Sequence, residues 1–228
     1  MNVLVVGARG GIGSACVKLL RDRGDAVFDI DTDTADVTRP GGAEQAVTEA
    51  QLTLGGLDGV VHAVGMSGRR LGDGKVTEVT DEAWAEVHRV NHESVFRLLR
   101  AAIPAMGQGG SVVVIGSALA TTLDRDFLTA AYISAKAALV PLVRTAALEA
   151  APRGTRINLV AAGLVDTPMA VRALGDPAIR SRMGELMPLG GRACLPEEIA
   201  DAVCWLLSPA SGRTTGAVLP VDGGWHLR

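Results

Sequence analysis

Short aliphatic runs alternate with stretches of helical periodicity along the whole chain, and nothing else in the sequence constrains the fold as much. Residues 3–6, 26–30, 59–63, 111–115, 156–160 and 217–221 read as strands; residues 12–23, 42–54, 81–106, 131–151 and 196–207 read as helices. Strands that alternate with helices require crossover connections, which place helices on both faces of a parallel sheet. The expectation is an α/β fold with a doubly wound parallel sheet of six or seven strands in three layers. Aromatic residues make up only 3% of the chain against 48% hydrophobic, so the interior must be aliphatic, as buried parallel strands are. No linker or repeat divides the sequence, and residues 1–228 read as one domain. The least patterned stretch, 165–193, carries Pro168, Gly175, Pro177, Pro188 and Gly190 with three methionines, and reads as a mobile cover over a site.

Charge and cysteine usage exclude several classes. The formal net charge is −3 and the basic residues are scattered, which gives no footprint for a phosphate backbone and argues against nucleic acid. No apolar run approaches the ~20 residues that span a bilayer, and no charged leader precedes the first apolar run. Cys16, Cys194 and Cys204 form no CxxC and stand among aliphatic residues, so they read as buried thiols. The expected setting is a soluble, cytoplasmic one.

The turn after the first strand reads Gly7-Ala8-Arg9-Gly10-Gly11-Ile12-Gly13 and opens the first helix. Such a turn brings backbone N–H groups and a helix N-terminus against a pyrophosphate; alone, it could equally be a tight turn that needs positive φ. Asp31 ends the second strand, 18 residues past Gly13, where a carboxylate can accept hydrogen bonds from ribose hydroxyls. The same charge would repel the 2′-phosphate of NADP. Thr32 and Asp33 follow it, so the pattern favours NAD, with Arg9 as the counter-signal.

Tyr132 is the only tyrosine in the chain, and Lys136 stands four residues on in Tyr-Ile-Ser-Ala-Lys. On a helix that spacing places both on one face, where a cation favours the phenolate and lowers a pKa of ~10. Ser117 lies just past a strand end, where parallel sheets place their chemistry. Asn91 sits in a helix among Val87, Val90, Val95 and Leu98; a buried asparagine needs partners, structural or functional.

Taken together, these motifs resemble the short-chain dehydrogenase/reductase family in its compact single-domain form, over essentially the whole chain. Its glycine pattern is matched at Gly7, Gly11 and Gly13, and its Asn-Ser-Tyr-Lys tetrad at Asn91, Ser117, Tyr132 and Lys136. The run from Arg156 to Met169, Pro196-Glu-Glu-Ile-Ala200 and Val221-Asp-Gly-Gly-Trp225 match its later signatures. The resemblance implies hydride transfer between a nicotinamide cofactor and an alcohol or ketone, by a dimer or tetramer. It implies that Tyr132 moves the hydroxyl proton, Lys136 lowers the tyrosine pKa and holds the nicotinamide ribose, Ser117 bonds the substrate oxygen, and Asn91 supports a water relay. It further implies cofactor contacts from Arg9, Ile12, Asp36, Val37, Ala63, Val64, Gly65, Val165 and Thr167.

Four departures qualify the likeness. Val6 stands where the family has Thr, His62-Ala63-Val64-Gly65 replaces Asn-Asn-Ala-Gly, and Ala162 replaces the Pro of a Pro-Gly turn. Only four residues separate Asp31 from Asp36, so the usual helix and strand between them are largely deleted, which leaves the roles of Asp36 and Val37 open. His88 and His92 have a metal-ligand spacing but no acidic or Cys partner, and no metal is expected. His62 reads as a hydrogen-bonded stand-in for the family asparagine. Arg69, Arg70, Arg172, Arg180 and Arg182 hint at a polar or anionic substrate, while Met169, Met183 and Met187 could line an apolar pocket. Two rivals stay open. A non-catalytic dinucleotide sensor would keep the fold without turnover, and an S-adenosylmethionine-dependent methyltransferase would share the glycine turn but have no use for the Tyr–Lys pair.

Overall fold

The computed structural model describes all 228 residues. Its six strands are β1 (Asn2–Val6), β2 (Ala26–Ile30), β3 (Gly59–His62), β4 (Ser111–Ile115), β5 (Arg156–Ala162) and β6 (Val218–Val221). All pair in parallel, in the order β2-β1-β3-β4-β5-β6. Successive side chains of a strand point to opposite faces, and the aliphatic strands supply both. Val3, Val5, Val61 and Val113 pack under α1 (Gly11–Asp22) and α10 (Pro196–Leu207). Leu4, Val6, Val60, Val112 and Val114 pack under α2 (Gly42–Leu54), α4 (Ser94–Ala105) and α6 (Leu139–Ala150). Strand order reverses between β1 and β3, and at such a switch point a crevice opens outside the carboxyl ends of the strands.

Three elements depart from the sequence reading. The helix expected over residues 81–106 is interrupted: α3 (Asp81–His88) passes through a π-turn at Arg89–Glu93 before α4 begins. Asn91 and Ser94 donate side-chain hydrogen bonds to the carbonyls of Val87 and Val90, four residues back (3.0 and 2.6 Å), in competition with backbone N–H groups for those acceptors. Secondly, α5 (Ala130–Ala137) runs into α6, and the stretch Ala130–Arg153 is long and apolar enough by composition to cross a membrane. The reading by aliphatic runs missed it because alanine dominates the stretch; its inner face, including Ala131, Ala135, Leu139 and Val143, is buried in the protein.

Thirdly, residues 165–193 carry regular structure: α7 (Val171–Gly175), α8 (Pro177–Ser181) and α9 (Met183–Leu186). Ile179, Met183, Leu186 and Met187 are buried in the core with Trp225, so two of the three methionines serve packing, and Met169 is half exposed. The deletion after Asp31 is as read. The chain turns at Asp31, with Thr34 and Ala35 N–H donating to its carbonyl (2.9 and 3.1 Å), and β2 is left as the edge strand.

Candidate active site

The groove begins at the glycine turn between β1 and α1. Gly7 has φ +80°, and a Cβ there would stand 2.8 Å from the Ala63 carbonyl carbon and the Val64 nitrogen. A Cβ on Gly13 would meet the Gly7 carbonyl oxygen at 2.1 Å. The backbone crossing between β1, β3 and α1 is therefore closed to any side chain at these two positions. The first turn of α1, at Gly11 and Ile12, carries no acidic residue, so its N–H groups and the positive end of its dipole remain for an anion. Thr167 closes over this turn, because a Cβ on Gly11 would touch its Cγ2 at 2.6 Å. Val165 holds the same segment in place through a parallel bridge to Cys194.

Beyond the turn lies a cavity of 520 Å³, lined among others by Gly7, Asp31, Asp36, Val37, Val64 and Gly65. Asp31 accepts the backbone N–H groups of Arg9 and Thr32 (2.9 and 2.8 Å), which holds its carboxylate at the cavity lip. Arg9 does not face inward alone: its guanidinium pairs with Asp33 at 2.5 Å. Asp36 and Val37, left open by the deletion, line the same cavity as Asp31. Burial works against the charge of Asp36, but hydrogen bonds from Thr38 and Arg39 hold its carboxyl below the ordinary carboxylate range. Glu86 and Arg89, which the sequence reading did not select, pair with each other across the far wall (2.6 Å).

The four tetrad residues converge at the carboxyl ends of β3 and β4. Lys136, 4% exposed, donates from Nζ to the Ile115 carbonyl at 2.9 Å, and Nζ stands 6.0 Å from the Tyr132 ring centroid. Burial lowers its pKa to about 8. Ser117, just past β4, accepts the Leu119 N–H at 3.2 Å and lies near enough to the Tyr132 phenol to oppose a rise in its pKa. The expected lowering of the tyrosine pKa is not what the structure gives. Burial raises it above the ordinary phenol value, and the Ser117 hydroxyl only partly opposes that rise.

Asn91 is fully buried. Its amide receives the Met66 N–H (3.1 Å) and donates to the Met66 and Val87 carbonyls (3.0 Å each), pinning the chain just past β3. A Cβ on the adjoining Gly65 would stand 3.1 Å from Asn91 Oδ1 and 3.5 Å from Lys136 Nζ, so the asparagine and the lysine meet there. His62, at the end of β3, makes a hydrogen bond of 2.9 Å between Nε2 and the Ser94 hydroxyl. That hydroxyl already donates to Val90, so Nε2 carries the imidazole proton and Nδ1 is a buried acceptor without a partner. Burial, with the Lys136 charge nearby, pushes the imidazole pKa down to about 3.

Other candidates are engaged elsewhere. His88 pairs through Nδ1 with the Trp84 carbonyl (2.8 Å). Arg182 is bound to Asp124, Asp126 and Glu185 and is not free for a substrate. The sequence reading missed Asp73, a residue only 5% exposed whose carboxylate accepts the backbone N–H groups of Ala131 and Tyr132 (3.0 Å each). Nothing in its local sequence, a single acid between Gly72 and Gly74, points to that role. The three cysteines are buried and unpaired; burial pushes the Cys16 thiol up to about 12.

Comparison with known proteins gives a consistent set of relatives. A family profile described as enoyl-(acyl carrier protein) reductase matches residues 30–226. The 3-oxoacyl-(acyl-carrier-protein) reductase of Vibrio cholerae is 30% identical, covering 98% of this chain and 96% of its own. Galactitol 2-dehydrogenase (L-tagatose-forming) of Cereibacter sphaeroides is 35% identical over 85% of this chain and 74% of its own. Among solved structures, the ligand-free aldohexose dehydrogenase of Thermoplasma acidophilum superposes with a TM-score of 0.86 at 29% identity, covering 99% and 94% of the two chains.

Proposed function

The chain belongs to the short-chain dehydrogenase/reductase family, and from that premise we propose that it transfers a hydride between NAD(H) and a secondary alcohol or its ketone, with Tyr132 moving the proton. The observation that carries this reading is the meeting of Ser117, Tyr132 and Lys136 at the end of β4, beside a groove whose glycines admit a dinucleotide backbone.

The groove fits the cofactor in shape and charge. The Gly7–Gly13 crossing and the first turn of α1 would hold the pyrophosphate, and Asp31 the adenosine ribose. Each cation at the adenosine end is already paired with an acid: Arg9 with Asp33, Arg39 with Asp36 and Arg89 with Glu86. A 2′-phosphate would find no free guanidinium there and would face Asp31, which supports NAD over NADP. Bound NAD(H) supplies the hydride donor or acceptor.

The remaining chemistry belongs to the chain. Ser117 donates a hydrogen bond to the substrate oxygen and orients it toward the phenol. Tyr132 in its protonated form, which burial favours, donates its proton to that oxygen as a ketone is reduced; in the reverse direction its phenolate accepts the proton of the alcohol. Lys136 is anchored on the Ile115 carbonyl, so its charge stays below the ring and stabilises the phenolate as the proton leaves. Two relatives are named for reactions of this kind, one for reduction of a 3-oxoacyl group and one for oxidation of a polyol at carbon 2. In this reading residues 165–193 cover the substrate.

The test is nicotinamide absorbance with NAD(H) and NADP(H) over a panel of secondary alcohols and ketones, beside Tyr132→Phe. Turnover with NAD(H), reduced at least ~100-fold in the variant, is the expected result. Turnover with NADP(H) alone would overturn the assignment of Asp31. Tight NADH binding without turnover on any member of the panel would favour the sensor reading.

A further inference from the structure

The helix that carries Tyr132 and Lys136 lacks a cap of its own. An N-cap side chain ordinarily accepts the N–H of the second or third helical residue, which in α5 are Ala131 and Tyr132. Thr129, at the N-cap position, makes no such bond; its hydroxyl instead donates to the Phe127 carbonyl at 3.2 Å. Both N–H groups are taken by Asp73, from a loop 58 and 59 residues earlier in the chain: Oδ1 accepts Ala131 N–H and Oδ2 accepts Tyr132 N–H, each at 3.0 Å. The first residue of the helix, Ala130, donates to the neighbouring Gly74 carbonyl at 2.8 Å.

A local cap would satisfy the same donors and stabilise the helix as well. A remote one adds a fixed relation between the helix and the loop. That loop leaves β3 through Met66, which Asn91 clamps on both its N–H and its carbonyl. Asp73 is itself tied back, its N–H donating to the Gly68 carbonyl at 3.0 Å. Gly68 is packed so closely that a Cβ there would stand 2.8 Å from the Asp73 Cβ and 2.2 Å from Val87. An unbroken chain of contacts therefore runs from the end of β3, at the cofactor groove, to the peptide N–H of Tyr132 itself.

We propose that Asp73 is a positioning residue for the reaction: its carboxylate sets where the Tyr132 phenol stands relative to the groove. The proposal rests on the reading of Tyr132 as the proton-transfer residue. Asp73 does not line the cofactor groove, and in this proposal it acts only through the tyrosine backbone.

The experiment compares wild type, Asp73→Asn, the double variant Asp73→Asn with Thr129→Asp, and Tyr132→Phe. Asparagine keeps the shape but presents an NH2 group to one of the two N–H donors, so one arm of the clamp is lost. Thr129→Asp offers a local cap to the same helix. The expected result is a kcat lowered about 10- to 100-fold in Asp73→Asn, the scale at which slight misplacement acts, with KM and the dissociation constant for NADH kept. The double variant should recover thermal stability but not kcat. Because Tyr132 is the only tyrosine, its phenolate absorbance also reads its environment directly, and in Asp73→Asn the ionisation should fall back toward the ordinary phenol value. Wild-type kcat and phenol titration in Asp73→Asn would overturn the proposal, as would recovery of kcat together with stability in the double variant. If Tyr132→Phe turns over normally, the reading of the tyrosine fails and takes the proposal with it. If Tyr132→Phe is inactive and Asp73→Asn is not impaired, only the role of Asp73 falls.

Discussion

Burial and charge pull against each other at Tyr132, and the structure decides which prevails. The cation of Lys136 favours the phenolate, but its Nζ is 6.0 Å from the ring centroid and itself desolvated. Removal of the phenol from water costs the charged form more, so the phenol stays protonated well into the alkaline range. The sole tyrosine makes this measurable: near-ultraviolet titration of the free protein should show ionisation above the ~10 of an ordinary phenol. Ser117→Ala should move it higher still, because the serine hydroxyl opposes the rise. A midpoint at or below the ordinary value in wild type would show that the lysine wins. From β3 the His62 imidazole reaches Ser94 and ties the strand end to the start of α4.

At the scale of elements, the groove depends on close passage of backbone between β1, β3 and α1. Gly13 has no alternative, since its Cβ would meet a carbonyl oxygen at 2.1 Å and no rotamer can move backbone aside. Gly13→Ala should lower NADH affinity at least ~100-fold and stability by about 1–3 kcal/mol, the usual cost of overpacking. Gly175→Ala, at the end of α7 with nothing within 4 Å of its Cβ, should leave both nearly unchanged. Fluorescence titration with NADH and thermal melts check the pair, and equal losses would refute the crossing as the reason for glycine. Residues 165–193 are a folded element in their own right. Arg182 ties α8 and α9 to Asp124 and Asp126 in the segment after β4, and Arg228 reaches the same Asp124 at 3.0 Å. Burial disfavours the Asp124 charge, but these guanidinium hydrogen bonds hold its carboxyl well below the carboxylate range. These pairs join residues 176–186 to the segment after β4 and to the C-terminus.

Across the whole molecule, one buried base gives a pH signature of folding. The imidazole of His62 binds a proton near pH 6.5 when unfolded but only near about 3 in the folded protein. Between those values the unfolded state holds more protons, so stability falls as pH drops through that window and is complete above it. At 1.36 kcal/mol per unit the loss is on the order of 5 kcal/mol. His62→Asn should remove it, which appears as wild-type and variant denaturation curves that diverge below pH 6.5. Parallel pH profiles would mean that His62 is not the group responsible.

The sequence by itself determined the alternation of strands and helices, the strand boundaries to within two residues, the glycine turn and the Tyr–Lys pair. These depend on contacts within a few residues: a period of 2 or 3.6, a turn that needs glycine, an i,i+4 pair on one helix face. The tertiary structure alone decided what depends on partners distant in the chain. In and beside the π-turn, Asn91 and Ser94 bond Met66 and His62 at the end of β3, and no local periodicity records such partners. The direction of the tyrosine pKa is set by burial, a property of the packed protein. Asp73 reaches α5 over 58 residues, and only folding brings that carboxylate to the helix whose first turn it holds.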